Sequence, residues 1–252
     1  MLRRLSFVMT GIVMALLWMP CAHAELIDVQ FSGTWSYSCG GPYCSDINPP
    51  QSGAAVAGAT GDQWNDFATD NTSDQALVAV NGAATGVTLG FSATGTYTAA
   101  TDYDAFTGTP WANLMEGYLV NNVQILLSGL VPGQTYDFYV YTQGDDNSAG
   151  RGVTFDVNGA DPQTASQTNA DNFILNNNYV YLQGVADVSG DIAINETGDS
   201  GEADVNGFQL VGVNVPEPSA LGILAAGLLA LGMLRRDRLF GRAGQQGQSR
   251  NL

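Results

Sequence analysis

The stretch from Thr135 to Tyr141 constrains the fold more than any other part of the chain. Tyr136, Phe138 and Val140 alternate with Asp137, Tyr139 and Tyr141. A period of two is the mark of a strand with one face on a core. A turn at Val131-Pro132-Gly133 precedes it, and Leu127-Ser128-Gly129-Leu130 precedes the turn. Short alternating or apolar runs bounded by Gly, Asn and Asp recur throughout. They predict strands at 26–32, 76–80, 87–94, 123–127, 135–142, 152–157, 179–184, 191–195 and 205–213. Asn81-Gly82 and Asn158-Gly159 are turn dipeptides, because both residue types tolerate positive φ. Helical periodicity is scarce between Glu25 and Val215. The expected fold class is all-β, a single β-sandwich rather than a barrel.

Both ends of the chain differ from this middle. Arg3 and Arg4 precede an apolar run from Leu5 to Met19, and Ala22-His23-Ala24 follows. A charged start, an apolar centre and an A-x-A site read as a secretory signal peptide over residues 1–24, cut between Ala24 and Glu25. At the other end Pro216 and Pro218 fix φ and remove two donors, so that piece is stiff and extended. Ser219 suits an N-cap, and residues 220–234 are all Ala, Leu, Ile, Met or Gly. A helix over them is about 22 Å long, and a ~30 Å hydrocarbon core admits it if the bilayer thins or the flanking arginines snorkel. Arg235, Arg236 and Arg238 follow and stop transfer, which places the polar tail 239–252 in the cytoplasm, expected disordered. The bland alternative is a buried core helix.

Pro216-Glu217-Pro218, an apolar helix and an arginine cluster, in that order, resemble the PEP-CTERM sorting signal. The resemblance implies that residues 215–238 are read by an exosortase, a membrane-embedded cysteine transpeptidase of Gram-negative bacteria. Pro216 to Pro218 are then the recognition element, and residues 220–234 a temporary anchor in the inner membrane. It also implies delivery to the cell envelope, outer surface or medium of a host that makes exopolysaccharide and biofilms. Two stretches, Gly152 to Gly159 and Val205 to Leu210, resemble strands of galactose-binding-like and malectin-like sandwiches. That resemblance implies a jelly-roll-like arrangement for the exported domain, residues 25–214.

Charge restricts the partners. The chain has 24 acidic residues, of which only Glu217 and Asp237 lie beyond Val215, and no lysine. Between Glu25 and Val215 the 22 acids face one base, Arg151. Such a polyanion does not bind nucleic acid by neutralising phosphates. Calcium, which takes oxygen ligands, is the cation that suits it. Two acidic clusters are candidates: Asp145 with Asp146, and Asp199 with Glu202 and Asp204. The plainer reading of both is solvated loop acids. Cys39 and Cys44 close a short Gly- and Pro-containing loop, and in an exported chain they read as a disulfide worth about 2 kcal/mol.

His23 is the only histidine and leaves with the signal peptide. The exported domain therefore lacks the means for Ser-His-Asp or Cys-His catalysis, histidine-ligated zinc or a lysine Schiff base. Paired carboxylates, as in glycosidases, stay open as an alternative. A non-catalytic surface or matrix protein that binds exopolysaccharide is the expected function. A structural coat or adhesion protein stabilised by calcium is the other alternative. Sugar rings stack on aromatic faces, and Trp64, Tyr103 and Trp111 lie in polar, loop-like stretches. They are candidate stacking residues, or else plugs at the ends of the sandwich.

Overall fold

The computed structural model describes residues 24–33, 49–98, 105–144, 152–158, 160–198 and 203–214. A compact unit spans Ala24–Asn214. Its strands are β1 (Ala24–Phe31), β2 (Trp64–Phe67), β3 (Asn71–Val78), β4 (Ala84–Ser92), β5 (Gly95–Thr98), β6 (Gly117–Val120) and β7 (Gln124–Ser128). They continue with β8 (Thr135–Tyr141), β9 (Val153–Val157), β10 (Gln163–Ala165), β11 (Tyr179–Val185), β12 (Ile192–Gly198), β13 (Asp204–Val205) and β14 (Gly207–Asn214). One short helix, α1 (Ala112–Glu116), precedes β6. All nine strands expected from alternation have a counterpart here, and the described structure is all-β apart from α1.

Three open sheets result. The five-stranded sheet runs β11-β8-β14-β1-β2, the six-stranded sheet β10-β9-β12-β7-β4-β3, and the small sheet β13-β6-β5. β2 runs parallel to β1; the other pairings are antiparallel. The two large sheets face each other through aromatic contacts. Phe31 of β1 meets Phe91 of β4 edge-on at 4.9 Å between centroids, and Phe67 of β2 meets Phe91 at 5.7 Å. Ile27, Val29, Phe138, Val140, Phe208 and Leu210 fill this interior from one side. Val87, Leu89, Ile125, Leu127, Phe155 and Ile194 fill it from the other. Each set takes every second residue of its strand, so alternation in the sequence becomes burial between sheets.

The turns behave as their residues require. Gly133 has φ +76° and Gln134 N–H donates to Val131 O at 3.1 Å, a type II arrangement with Pro132 leading it. Gly207 answers to space. A Cβ there would collide with the carbonyl oxygen of Val29 on the neighbouring strand and press on Leu114.

Among the described residues no helix is long and apolar enough to cross a membrane. The expected span at 220–234, the arginines beyond it and most of the expected signal peptide lie outside the described residues.

Candidate functional site

One face of the five-stranded sheet lies in the sandwich interior; the outer face is buried on the β1 side and open on the β8 and β11 side. Residues of β1 that point away from the sandwich interior are Asp28 and Gln30, both fully buried. In register they lie beside Trp64 and Asp66 on β2, and opposite Gln209 and Gly207 on β14. Gln209 lies opposite Tyr139 on β8, which in turn lies opposite Tyr181 on β11. One row therefore crosses the sheet as Trp64, Asp28, Gln209, Tyr139, Tyr181.

The half of this face nearest β1 is covered by chain between residues 49 and 63 and by α1. The covering is hydrogen-bonded rather than greasy. Gln30 donates to Asn113 O at 3.0 Å and to Pro49 O at 3.2 Å, and accepts from Gln51 N–H. Gln209 accepts from Ala57 N–H at 2.9 Å and donates to Ala57 O at 3.0 Å. The Tyr141 hydroxyl accepts from Val56 N–H at 3.0 Å. Buried amides need such partners, and the backbone of the cover supplies them.

Both candidate tryptophans lie at this cover. Trp64 is only 7% exposed and packs with Phe106, Leu114, Met115 and Tyr141. Its indole N–H donates to Gly53 O at 2.9 Å. Trp111 is half-buried against the same cluster, and its N–H donates to Ala54 O at 3.0 Å. Both rings hold down the covering segment, so Trp64 offers no open face to a sugar. Tyr103 lies outside the described residues.

Burial also shifts acids. Asp28 is raised to about 7 by desolvation, aided by the nearby charge of Asp62 and opposed by a hydrogen bond from Gln209. Its Oδ1 accepts from Gln209 Nε2 at 2.9 Å, while Oδ2 is buried without a hydrogen-bond partner among the described residues. Burial likewise raises Asp66, which accepts from the Ser32 hydroxyl, and Glu116 on α1. Glu196 on β12 is raised by burial although its Oε2 accepts from Val123 N–H at 2.9 Å. The hydrogen-bond partners of Asp28, Asp66 and Glu196 are amide or hydroxyl groups. These four acids sit on β1, β2, α1 and β12.

A second buried polar cluster lies where β8 ends. Asn206 donates to Met115 O at 2.7 Å, Gly117 O at 3.0 Å and Gln143 O at 2.9 Å, and accepts from Gln143 N–H. Gln167 donates to Thr142 Oγ1, which donates to Asp204 O. Gln167 Oε1 and Asn169 Oδ1 are buried without hydrogen-bond partners among the described residues. Asp204 is fully buried in β13. The other candidate calcium ligands, Asp145, Asp146, Asp199 and Glu202, lie outside the described residues, as do Cys39 and Cys44. Among the described residues no group of three His, Cys, Asp or Glu side chains is placed to hold a metal.

Beyond Tyr141 the outer face of β8 and β11 opens to solvent. Tyr139 and Tyr181 have ring centroids 5.4 Å apart, and Tyr139 and Tyr179 6.4 Å. Asp137 Oδ1 accepts from the Tyr181 hydroxyl at 2.6 Å and from Gln183 Nε2 at 2.8 Å. Sequence reasoning placed Asp137, Tyr139 and Tyr141 on one face but assigned them no role. The missing half was β11, whose partner register the sequence does not state.

Ala24 and Glu25, the residues of the expected signal-peptide cut, are the first two of β1 and pair with Asn214 and Val213. Pro216, Glu217, Pro218, Arg235, Arg236 and Arg238 lie outside the described residues.

No curated protein matches the chain by sequence. Among solved structures, the ectodomain of ANX2 from Arabidopsis thaliana is similar at 9% identity and a TM-score of 0.34, over 49% of this chain and 43% of that one. An exo-beta-1,3-galactanase from Phanerochaete chrysosporium, solved with galactose, is similar at 17% identity and a TM-score of 0.25, over 38% of this chain and 23% of that one. An Arthrobacter globiformis isomalto-dextranase, complexed with panose, is similar at 11% identity and a TM-score of 0.24, over 76% of this chain and 30% of that one. The chain thus spans less than half the length of each. Residues 214–236 match the family described as the PEP-CTERM protein-sorting motif, the signal of exported proteins that exosortase sorts to the surface or envelope.

Proposed function

We propose that this is an exported, non-catalytic surface or matrix protein, sorted by exosortase, whose sandwich binds exopolysaccharide. The observation that carries the reading is the sorting motif, whose first matched residue, 214, is the last residue of β14. In this reading residues 1–24 direct export and leave at Ala24. Residues 25–214 are the delivered domain, with Cys39 and Cys44 joined. Residues 215–238 sort it: Pro216 to Pro218 are recognised, 220–234 rest in the inner membrane, and Arg235, Arg236 and Arg238 stop transfer. The tail 239–252 stays cytoplasmic until processing.

Glu217→Ala, or deletion of residues 220–238, tests the sorting step. The expected result is loss of the processed form, with the Glu217→Ala chain retained in the inner membrane. Unchanged location and processing in both variants would overturn the reading.

A calcium-stabilised coat protein is a second reading, favoured by one observation. Gln167 Oε1 and Asn169 Oδ1 are buried oxygens lacking hydrogen-bond partners among the described residues, and a Thr142 hydroxyl links Gln167 to the Asp204 backbone. Oxygen donors of this type suit calcium, and Asp204 would supply charge. On this reading millimolar calcium raises the thermal midpoint, and chelation lowers it. No shift with calcium, magnesium or chelator would remove it.

A further inference from the structure

We propose that the outer face of β8 and β11 is the glycan platform of this protein and takes a neutral polysaccharide. The inference rests on the exopolysaccharide reading above and names its site. In register the face is a grid of paired residues: Asp137 opposite Gln183, Tyr139 opposite Tyr181, and Tyr141 opposite Tyr179. Successive pairs are two residues apart along the strands, so the grid spans about 13 Å. Tyr141 is fully buried, so the open part is the stretch from Asp137 to Tyr139 with Tyr179, Tyr181 and Gln183 beside it.

The grid has a closed end and an open end. At the closed end Phe173 packs on Tyr141 at 5.1 Å and stands edge-on to Tyr179 at 6.3 Å. The covering segment stops there as well, where Val56 N–H reaches the Tyr141 hydroxyl. In the middle, Tyr139 and Tyr181 form a contiguous ring surface, and Tyr181 is 37% exposed. At the open end Asp137 is oriented through Oδ1 by Tyr181 and Gln183. Those bonds leave Asp137 Oδ2 and Gln183 Oε1 as acceptors for hydroxyl groups. Apolar C–H faces of a pyranose stack on rings, while its hydroxyls donate to fixed acceptors. β11 is also an end strand of its sheet, so a long polymer can lie across the grid without threading.

Charge selects the polymer. The segment from Glu25 to Val215 has 22 acids and one base, and the platform carries Asp137. An anionic chain such as alginate is repelled, and a neutral chain meets no such barrier.

The test is affinity electrophoresis of the full chain isolated from its host. The gels contain dextran, laminarin or xyloglucan as neutral probes, and alginate as the anionic one. The expected result is retardation by a neutral polymer and none by alginate. Tyr181→Ala is expected to weaken that binding at least tenfold, and Asp137→Asn severalfold, with the thermal midpoint held within a few degrees. If Tyr181→Ala fails to fold by circular dichroism, Asp137→Asn, which keeps the rings, decides the matter. Retardation unchanged in the folded variants would overturn the platform but leave glycan binding standing elsewhere. Retardation by alginate alone would overturn the choice of polymer. Absence of retardation by every probe, alginate included, would overturn both the platform and the glycan reading.

Discussion

Replacing Asp28 by asparagine stabilises the protein at pH 8 by up to about 4 kcal/mol and changes little at pH 4. The reason is the place of Asp28 in the row that crosses the five-stranded sheet. Its carboxyl is fully buried, Gln209 bonds one oxygen, and the other has no hydrogen-bond partner among the described residues. Burial raises it from 3.8 to about 7. The folded state therefore holds a proton that the unfolded chain releases near pH 4. Between those two values the native state binds more protons, so stability falls as pH rises. The contribution of the neutral acid is complete below about pH 4 and is lost as pH passes 7. Asparagine keeps an acceptor for Gln209 and has no charge to bury. Urea midpoints of wild type and Asp28→Asn at pH 4 and pH 8 measure the difference. An Asp28→Asn chain less stable than wild type by the same amount at both pH values would contradict this account.

Asn206→Ala is expected to destabilise the fold by on the order of 4 kcal/mol. The side chain is fully buried and makes four hydrogen bonds, to the carbonyls of Met115, Gly117 and Gln143 and from the amide of Gln143. It ties α1, the start of β6 and the end of β8 to the entry of β14. Alanine leaves three carbonyls and one amide facing a void, and each lost partner is worth ~1–3 kcal/mol, though such losses do not add fully. In a domain of this size that corresponds to a drop of roughly 10 °C in Tm. Asn206→Asp should be no milder, because its carboxylate would face carbonyl oxygens. A Tm within two or three degrees of wild type, measured by differential scanning calorimetry, would show that the network carries little of the stability.

The strands that bury one face between the large sheets were legible because alternation reports that arrangement directly. β8, β11 and β14 are the clearest, each with apolar residues at every second position. The short elements were not legible. β2, β5 and β6 have four residues each, β10 three and β13 two, too few for a period to show. α1 has five, barely more than one turn. Burial of the outer face of the five-stranded sheet was not legible for a different reason. Asp28, Gln30 and Gln209 are buried although polar, and the segment from residue 49 to 63 lies over Gln30 and Gln209. Their amides bind the backbone of that cover, and a hydrophobic pattern cannot signal such a contact. The polar neighbours of Trp64 and Trp111 belong to the cover that these rings pin.

The sorting motif was the most legible feature, because it is local and its three parts follow one another in sequence. The proposed platform was half legible, as a row of tyrosines on β8. Its other half, Tyr179, Tyr181 and Gln183, joins only through strand pairing across about forty residues.

Intact mass of the protein from cells and from culture medium, with and without the host's exosortase, decides whether the chain is sorted and cut. Exosortase processing gives a mass beginning at Glu25 and ending near Val215 to Pro218, lost when the exosortase is removed. A mass that retains residues 220–252 whether or not the exosortase is present would contradict it and make the protein a permanently anchored one.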